Sequence, residues 1–323
     1  MSRAQSPQVI VASDEGSPTV ASLVECVASL GGQAHVLSTR RLPREGCVAL
    51  DACGAEIRLG GDPIRLDACR GIWNWHAEPP LASDDDASTA RYVRHEWELT
   101  LRGLAATAPE SIWINHPLRA SWLDGNKLAQ MKLAARAGFD VPPTLLSNDP
   151  DRIVRFAQQF DQVAVKSQGG AWRETPDGAM AVAYTQRCTS AELDSSRTGL
   201  TRAPVLVQPY LEKACELRVT VVDRTVFVCR IDSQASARTE VDWRRDVNAV
   251  SHELVEAAPD EVDRIRALVD AAGLRYAAID LACTHDGKTY FLDLNPAGQF
   301  GWIETRTGAP ILRTLAEALL RPA

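Results

Sequence analysis

The tightest constraint on this chain lies near its end. Two apolar runs, Tyr276-Ala-Ala-Ile-Asp-Leu-Ala-Cys283 and Tyr290-Phe-Leu-Asp-Leu-Asn295, are joined through His285-Asp-Gly-Lys288. Asp-Gly between strand-like runs is a strong β-hairpin signal. A two-residue Asp286-Gly287 loop sets His285 against Lys288, Cys283 against Tyr290 and Asp280 against Asp293. Side chains alternate along a strand, so Asn295 shares the face of Asp293. One face then carries two opposed carboxylates and a carboxamide. Opposed Cβ atoms lie about 5 Å apart, where like charges destabilise. A cation removes that objection, and Mg²⁺ takes one or two carboxylates together with substrate phosphates. On this reading, neutralising either aspartate leaves the empty fold unharmed. The bland alternative is two solvated aspartates on an edge hairpin. Ile279, Phe291, Leu292 and Leu294 favour a buried one, and a slip of one residue would break the constellation.

At 323 residues and 45% hydrophobic, the chain is long enough for two or three domains with cores. Its net charge of −7 gives no global electrostatic reason to bind nucleic acid. No apolar run is long enough to cross a bilayer, so no membrane partner is expected. The start, Met1-Ser-Arg-Ala-Gln-Ser-Pro7, leads straight into a strand and does not read as a signal peptide. The eight cysteines form no Cys-x-x-Cys pair, and reduced thiols in a cytoplasmic protein are expected.

The chain opens β-α-β, with strands at Val9–Ser13 and Ala34–Leu37 around a helix from Thr19 to Leu30, which predicts a small parallel sheet. Asp14-Glu-Gly16 is no dinucleotide fingerprint. Gly71–His76 is a further strand, broken at Glu78-Pro-Pro80, and Asp84–Asp86 reads as a solvated loop or a helix N-terminus. A helix over Thr89–Leu104 and a strand over Trp113–Pro117 follow. Composition then changes to an Ala- and Leu-rich helix from Asp124 to Gly138, which puts a domain boundary near residues 115–124. The expected division is 1–120, 121–203 and 204–323.

Gln162-Val-Ala-Val-Lys-Ser-Gln-Gly-Gly170 runs a strand into a glycine-rich turn, placing the Lys166 ammonium beside backbone N–H groups that suit an anion. The alternative is a lysine snorkelling to solvent. Pro209 breaks the strand Ala203–Lys213, leaving backbone groups that a flat base could use. Glu216, Arg218 and Thr220 share a strand face, with a Glu216–Arg218 surface ion pair as the bland reading. Asp223-Arg224 turns the chain into Thr225–Ile231. Residues 232–248, including Asp242-Trp-Arg-Arg245, are polar and without periodicity, hence a candidate binding loop. Helices over Pro259–Ala272 and Ala309–Leu320 complete the chain.

From about Asn115 to Glu304, these pieces in this order resemble the ATP-grasp ligases. The resemblance implies an α/β ATP-grasp fold: an N-terminal parallel-sheet domain, a central small domain and a C-terminal antiparallel-sheet domain. It implies ATP and Mg²⁺ as cofactors, with Lys127 and Lys166 on phosphates. Gln208, Tyr210 and Leu211 would line the adenine, Glu216 would hold ribose, and Asp280, Asp293 and Asn295 would hold the metal. Arg218, Arg230 and Arg244 complete the expected catalytic set. The ending Leu292-Asp-Leu-Asn-Pro-Ala-Gly-Gln-Phe-Gly-Trp302 looks like the graspetide maturases, the microviridin-type peptide macrocyclases. So do Ile231-Asp-Ser-Gln234, Asp242-Trp-Arg244, Asn115-His-Pro117 and Asn126-Lys127. Phe300 stands where that group usually has Trp, and His76-Ala77 where relatives often have Arg-Arg.

The resemblance implies a side-chain ester or amide macrocycle, made through an acyl phosphate in a ribosomal precursor peptide of leader and core. Arg244 beside Trp243 would hold the peptide's carboxylates. A homodimer is compatible with this reading. The competing readings are a RimK-like ligase adding amino acids to a terminus, and a non-catalytic peptide-binding module. No Ser-His-Asp or Cys-His nucleophile is visible.

Overall fold

The computed structural model describes residues 6–13, 16–38, 41–51, 54–59, 61, 63–77, 86–169, 172–174 and 180–322. Asp14 and Glu15, the break at Glu78-Pro-Pro80, Asp84, Asp85 and Gly170 lie outside them. Asp86 is the N-cap of the helix Ala87–Thr107, accepting the N–H groups of Ser88 and Thr89.

The N-terminal sheet is parallel throughout, in the order Gln33–Leu37, Gln8–Ala12, Cys69–Asn74, Ile112–Ile114. An antiparallel meander of Gly46–Asp51, Gly54–Leu59 and Ile64–Arg65 lies between its strands in sequence. That meander was not anticipated. The C-terminal helix Ile311–Leu320 packs directly on Cys69–Asn74: a Cβ at Gly71 would lie 2.4 Å from the Leu319 carbonyl oxygen. Only glycine admits that approach.

The small central sheet is antiparallel, ordered Gln186–Cys188, Val163–Lys166, Val205–Pro209, Leu145–Ser147. Val205–Pro209, assigned by sequence to the C-terminal part, is therefore hydrogen-bonded into the central sheet. Its neighbour helix Pro150–Ala157 has Asp149 as N-cap and proline in the first turn.

The largest sheet has five antiparallel strands: His252–Val255, Thr225–Ile231, Lys213–Val222, Tyr276–Thr284 and Thr289–Asn295. Alternation divides its two faces. Val219, Val221, Ile279, Leu281 and Leu294 pack with Met131, Ile265 and Leu268 under the helices Lys127–Arg136 and Pro259–Ala272. On the other face Val222, Ile231, Tyr276 and Phe300 share one core with Val9, Trp73, Trp75 and Leu315. N- and C-terminal parts thus bury a common apolar cluster.

Asn115 ties the two parts together. Its Nδ2 donates to the carbonyls of Tyr276 (2.8 Å) and Pro296 (2.7 Å), and its Oδ1 accepts from the N–H groups of Arg275 (2.8 Å) and Tyr276 (2.9 Å). All four hydrogen bonds of a buried carboxamide are made. Phe300 sits where no polar partner is needed, with ring centroids 6.5 Å from Trp73, 6.3 Å from Trp75 and 6.0 Å from Tyr276. Among the described residues no helix is long and apolar enough to cross a membrane.

Candidate active site

The carboxylate hairpin forms by a different route from the one its sequence suggests. Its loop has three residues: Gly287 N–H donates to Thr284 O (3.0 Å), Thr284 N–H to Lys288 O (2.9 Å), and Gly287 has φ of 81°. This is a turn closed by a left-handed glycine. The pairing next to it is therefore offset from the expected one, with Cys283 facing Thr289 and Ala282 facing Tyr290. A bulge at Leu292 then restores Asp280 opposite Asp293, with Asn295 on the same face.

The opposed carboxylates are neutralised by protein cations. Arg218 faces Asp280 across the neighbouring strand pair, and its Nη1 donates to Asp280 Oδ1 at 2.8 Å. Lys127, at the start of its helix, is hydrogen-bonded to Asp293. A row Arg218–Asp280–Asp293–Lys127 therefore crosses three strands and one helix as two ion pairs set back to back. This overturns the expectation that either aspartate can be neutralised without cost. Burial works against the Arg218 charge, but Asp280 outweighs it and holds the pKa above its usual value. Arg218 Nη2 donates to Gln299 O at 3.2 Å, while its buried Nε has no partner among the described residues. Asn295 Oδ1 accepts from Ala297 N–H at 2.8 Å, which fixes the carboxamide.

Lys166 does not snorkel. Its Nζ donates to Gln208 Oε1 at 3.1 Å, and Gln208 Nε2 donates to Thr144 Oγ1 at 2.9 Å. Burial, then the nearby Lys213 ammonium, pushes the Lys166 pKa down to about 8. Glu216 pairs with Lys213 (2.6 Å) and not with Arg218, so the surface ion pair is also overturned. Burial raises the Glu216 pKa, with Lys213 acting against it. Tyr210 N–H is committed to Gln162 O (2.9 Å), and the Arg187 guanidinium lies 4.2 Å from the Tyr210 ring centroid.

In the polar segment after Ile231, short 3₁₀ turns replace the expected irregular loop. Buried Asp242 takes Arg244 through two bonds, from Nε at 2.8 Å and Nη2 at 2.6 Å, and also accepts Thr185 N–H at 3.1 Å. Hydrogen bonding to Asp242 raises the Arg244 pKa. The remaining Arg244 donors are left for the cavity.

One cavity of about 1070 Å³ joins these groups. It is lined by Lys127, Lys166, Gln208, Tyr210, Leu211 and Glu216, by Arg218 and Arg244, and by Asp280, Asp293 and Asn295. Arg230 is not brought in. It faces Leu217, on the sheet side of Val226 and Val228, and is exposed. Sequence reasoning missed Lys213 and the positioning role of Asp242. It also missed Gln130, whose Oε1 accepts Leu294 N–H at 3.2 Å and so pins the strand beside Asp293. The spacings Lys213–Glu216 and Asp242–Arg244 were legible signals; the burial that gives them meaning was not.

A nucleotide-sized cleft between two antiparallel sheets, with half-buried and buried lysines at one end and a carboxylate row beneath, defines an ATP-grasp ligase. The sequence profile of the RimK-like ATP-grasp domain matches residues 124–319, well over half of the chain, and the chain belongs to that family. It is 26% identical over 236 residues to a probable α-L-glutamate ligase of Klebsiella pneumoniae (strain 342), covering 70% of this chain and 74% of the relative. Its fold matches that of a RiPP-associated ATP-grasp ligase from Chryseobacterium gregarium, in complex with ADP and a leader and core peptide. There the TM-score is 0.86 and the identity 24%, over 97% of this chain and 96% of the other. The macrocyclase MdnC from Microcystis aeruginosa MRC, bound with precursor peptide MdnA, gives a TM-score of 0.85 and 25% identity over 97% and 99% of the two chains. The ligase PsnB, complexed with a phosphomimetic variant of minimal precursor, Mg and ADP, gives 0.76 and 25% over 98% and 99%.

Proposed function

We propose that this ligase closes side-chain ester or amide rings in a ribosomally made precursor peptide, using ATP and an acyl-phosphate intermediate. The observation that carries the reading is the one cavity that these groups share. At about 1070 Å³ it stands at the upper end of small-molecule sites, roughly 300–1000 Å³. It also continues past the lysines to Arg244, Asn74 and His76. A nucleotide and a peptide side chain fit it together. The precursor peptides held by MdnC and PsnB support the same occupant.

The chemistry asks mainly for charge and geometry. Lys166 and Lys127 meet the nucleotide phosphates, and the unpartnered Arg218 Nε is a donor for the transferring phosphoryl group. Tyr210 and Leu211 wall the base, and Glu216 is held by Lys213 for the ribose. Asp280, Asp293 and Asn295 are hard oxygen donors on one face and fit Mg²⁺, although no three His, Cys, Asp or Glu side chains cluster among the described residues. Mg²⁺ there would neutralise phosphate charge. A peptide carboxylate takes the γ-phosphoryl group and ADP departs. A hydroxyl or amine of the same peptide then attacks the acyl carbon and phosphate leaves. Arg244, aimed by Asp242, holds the acidic side chains.

The family and the Klebsiella relative favour a second reading, addition of an amino acid to a peptide terminus. Product mass separates the two. Synthetic peptides pairing Thr, Ser or Lys with Asp or Glu, including any such short peptide encoded beside the gene, are incubated with ATP and Mg²⁺. Loss of one water per bond, with ADP released, is expected. A gain of amino-acid mass, or AMP formation, refutes ring closure.

A further inference from the structure

Arg244 and Arg245 are neighbours in the chain but turn to different partners. Arg244 is bonded to Asp242 and lines the cavity. Arg245 reaches across to the central part of the chain. Its Nη2 donates to the carbonyl of Thr185 at 3.1 Å, and its guanidinium stands 5.3 Å from the ring centroid of Tyr184. The N–H of Thr185 is taken by Asp242 Oδ2, also at 3.1 Å. Both backbone groups of Thr185 are therefore gripped by one stretch, Asp242-Trp-Arg-Arg245. That stretch is itself fixed to the C-terminal part by Trp243, which is buried with its ring centroid 5.0 Å from that of Trp302.

Thr185 belongs to the other side of the cleft. It immediately precedes the strand Gln186–Cys188, where Gln186 faces Val165, the residue before Lys166. The grip on Thr185 thus acts on the strand next to the one that carries Lys166. A second tie lies close by, where Arg187 Nη1 reaches Glu240 Oε1 at 3.5 Å.

Phosphoryl transfer needs its partners closely placed, and a misplacement of about 1 Å can cost about 10²-fold. On the reading above, Lys166 holds the phosphate and Arg244 the peptide's carboxylate, from opposite sides of the cleft. We propose that Arg245 is the positioning residue that fixes the distance between them, clasping the central sheet to the segment that carries Arg244. The proposal rests on Arg244 holding the acidic side chains of the peptide. Ala183 and Thr185 line the cavity together with Arg244. A peptide held by Arg244 therefore bridges the same gap as the clasp, and each can stand in for the other.

The test measures ADP–Mg²⁺ affinity by calorimetric titration. It is run without peptide, and again with a saturating amount of a synthetic peptide that the wild-type enzyme modifies. Arg245 is exposed, so its variants are expected to fold, which urea unfolding checks. Without peptide, Arg245→Ala should bind ADP about tenfold more weakly, because a protein aligned only part of the time binds with that fraction of its affinity. With peptide bound, the gap should close to about twofold. Turnover should follow, with KM for ATP raised at low peptide and kcat within about threefold once peptide saturates. Arg245→Lys keeps a cation over Tyr184 and a donor toward Thr185, and should recover most of the affinity. Unchanged ADP affinity in Arg245→Ala overturns the proposal. So does a loss of equal size with and without peptide, which marks a merely structural contact. Peptide affinity that Arg244→Lys leaves unchanged refutes the reading of Arg244, and this proposal with it. Whether the peptide is closed into a ring or extended is read from its mass, so a failure of ring closure is told apart from a failure of the clasp.

Discussion

Lys166 is held in a state that costs the empty protein stability. Burial pushes its pKa down to about 8 from the 10.5 of a solvated lysine. At about 1.4 kcal/mol per unit, keeping it charged costs up to about 3 kcal/mol. Replacement by Met keeps the stem and removes the charge, but forfeits the Gln208 bond, worth about 1 kcal/mol. Lys166→Met is therefore expected to stabilise the nucleotide-free protein by about 2 kcal/mol at pH 7. The sign follows from proton uptake: between pH 8 and about 10.5 the unfolded chain holds a proton that the folded protein has released. Wild-type stability gains over that window, the penalty being complete below it, so the advantage of the variant fades as pH rises. Urea unfolding of both proteins from pH 7 to 10.5 measures this, and the shift in Tm given by ADP should vanish in the variant. A stability difference independent of pH, or a less stable variant at pH 7, would refute the argument.

Asp280→Asn strands Arg218, whose side chain is 9% exposed, and should cost about 3 kcal/mol or more by urea unfolding. Asp293→Asn leaves Lys127 at 17% exposure and free to reorient, so it should cost about 1 kcal/mol; equal losses would contradict the pairing. Asn115→Leu removes four buried hydrogen bonds and should lose about 4 kcal/mol, read from the same unfolding curves. Calorimetric titration should give an ADP affinity at least about tenfold (about 1.4 kcal/mol) higher with Mg²⁺ than with a chelator; equal affinities would remove Asp280 and Asp293 from the metal site.

Much of the site was legible because strand alternation and turn length fix which residues share a face. The two-residue Asp223-Arg224 loop sets Val222 against Thr225, and hence Arg218 against Cys229. The same count sets Arg230 against Leu217, which places it off the Arg218 face. The hairpin at Gly287 was harder. Asp-Gly serves both a two-residue turn and a three-residue turn with a left-handed glycine, and the run Phe291-Leu-Asp-Leu294 is apolar on both sides of the sheet. Nothing in it marks Leu292 as the bulge. Two departures, one at the turn and one at Leu292, cancel at Asp293. The meander over 46–65 escaped although Ala55-Glu-Ile-Arg-Leu59 alternates, with Ala55 and Ile57 buried; its partner Gly46–Asp51 is mostly exposed and carries the weaker pattern. The pairing of Val205–Pro209 with the central sheet depends on long-range contacts that no local pattern carries.

The row of two back-to-back ion pairs bears on how an empty site with this much charge stays folded. Two aspartates face each other, and Lys127, Lys166, Lys213 and Arg218 surround them. Left unpaired, either set would be expensive in a cavity sheltered from water. Arranged as Arg218–Asp280 and Asp293–Lys127, the row is close to neutral. On the proposed reading, a divalent ion at the aspartates weakens their hold on Arg218 and Lys127 just where phosphate oxygens arrive. The cations then exchange one anionic partner for another and are not newly desolvated. On the same reading Lys166 is the exception: its hydrogen-bond partner Gln208 is neutral, and Glu216 and Asp293 offset its burial only in part, so it would gain most from a phosphate. On the proposed reading the site divides its cations into those that keep the empty protein neutral and one whose charge is left for the nucleotide to satisfy.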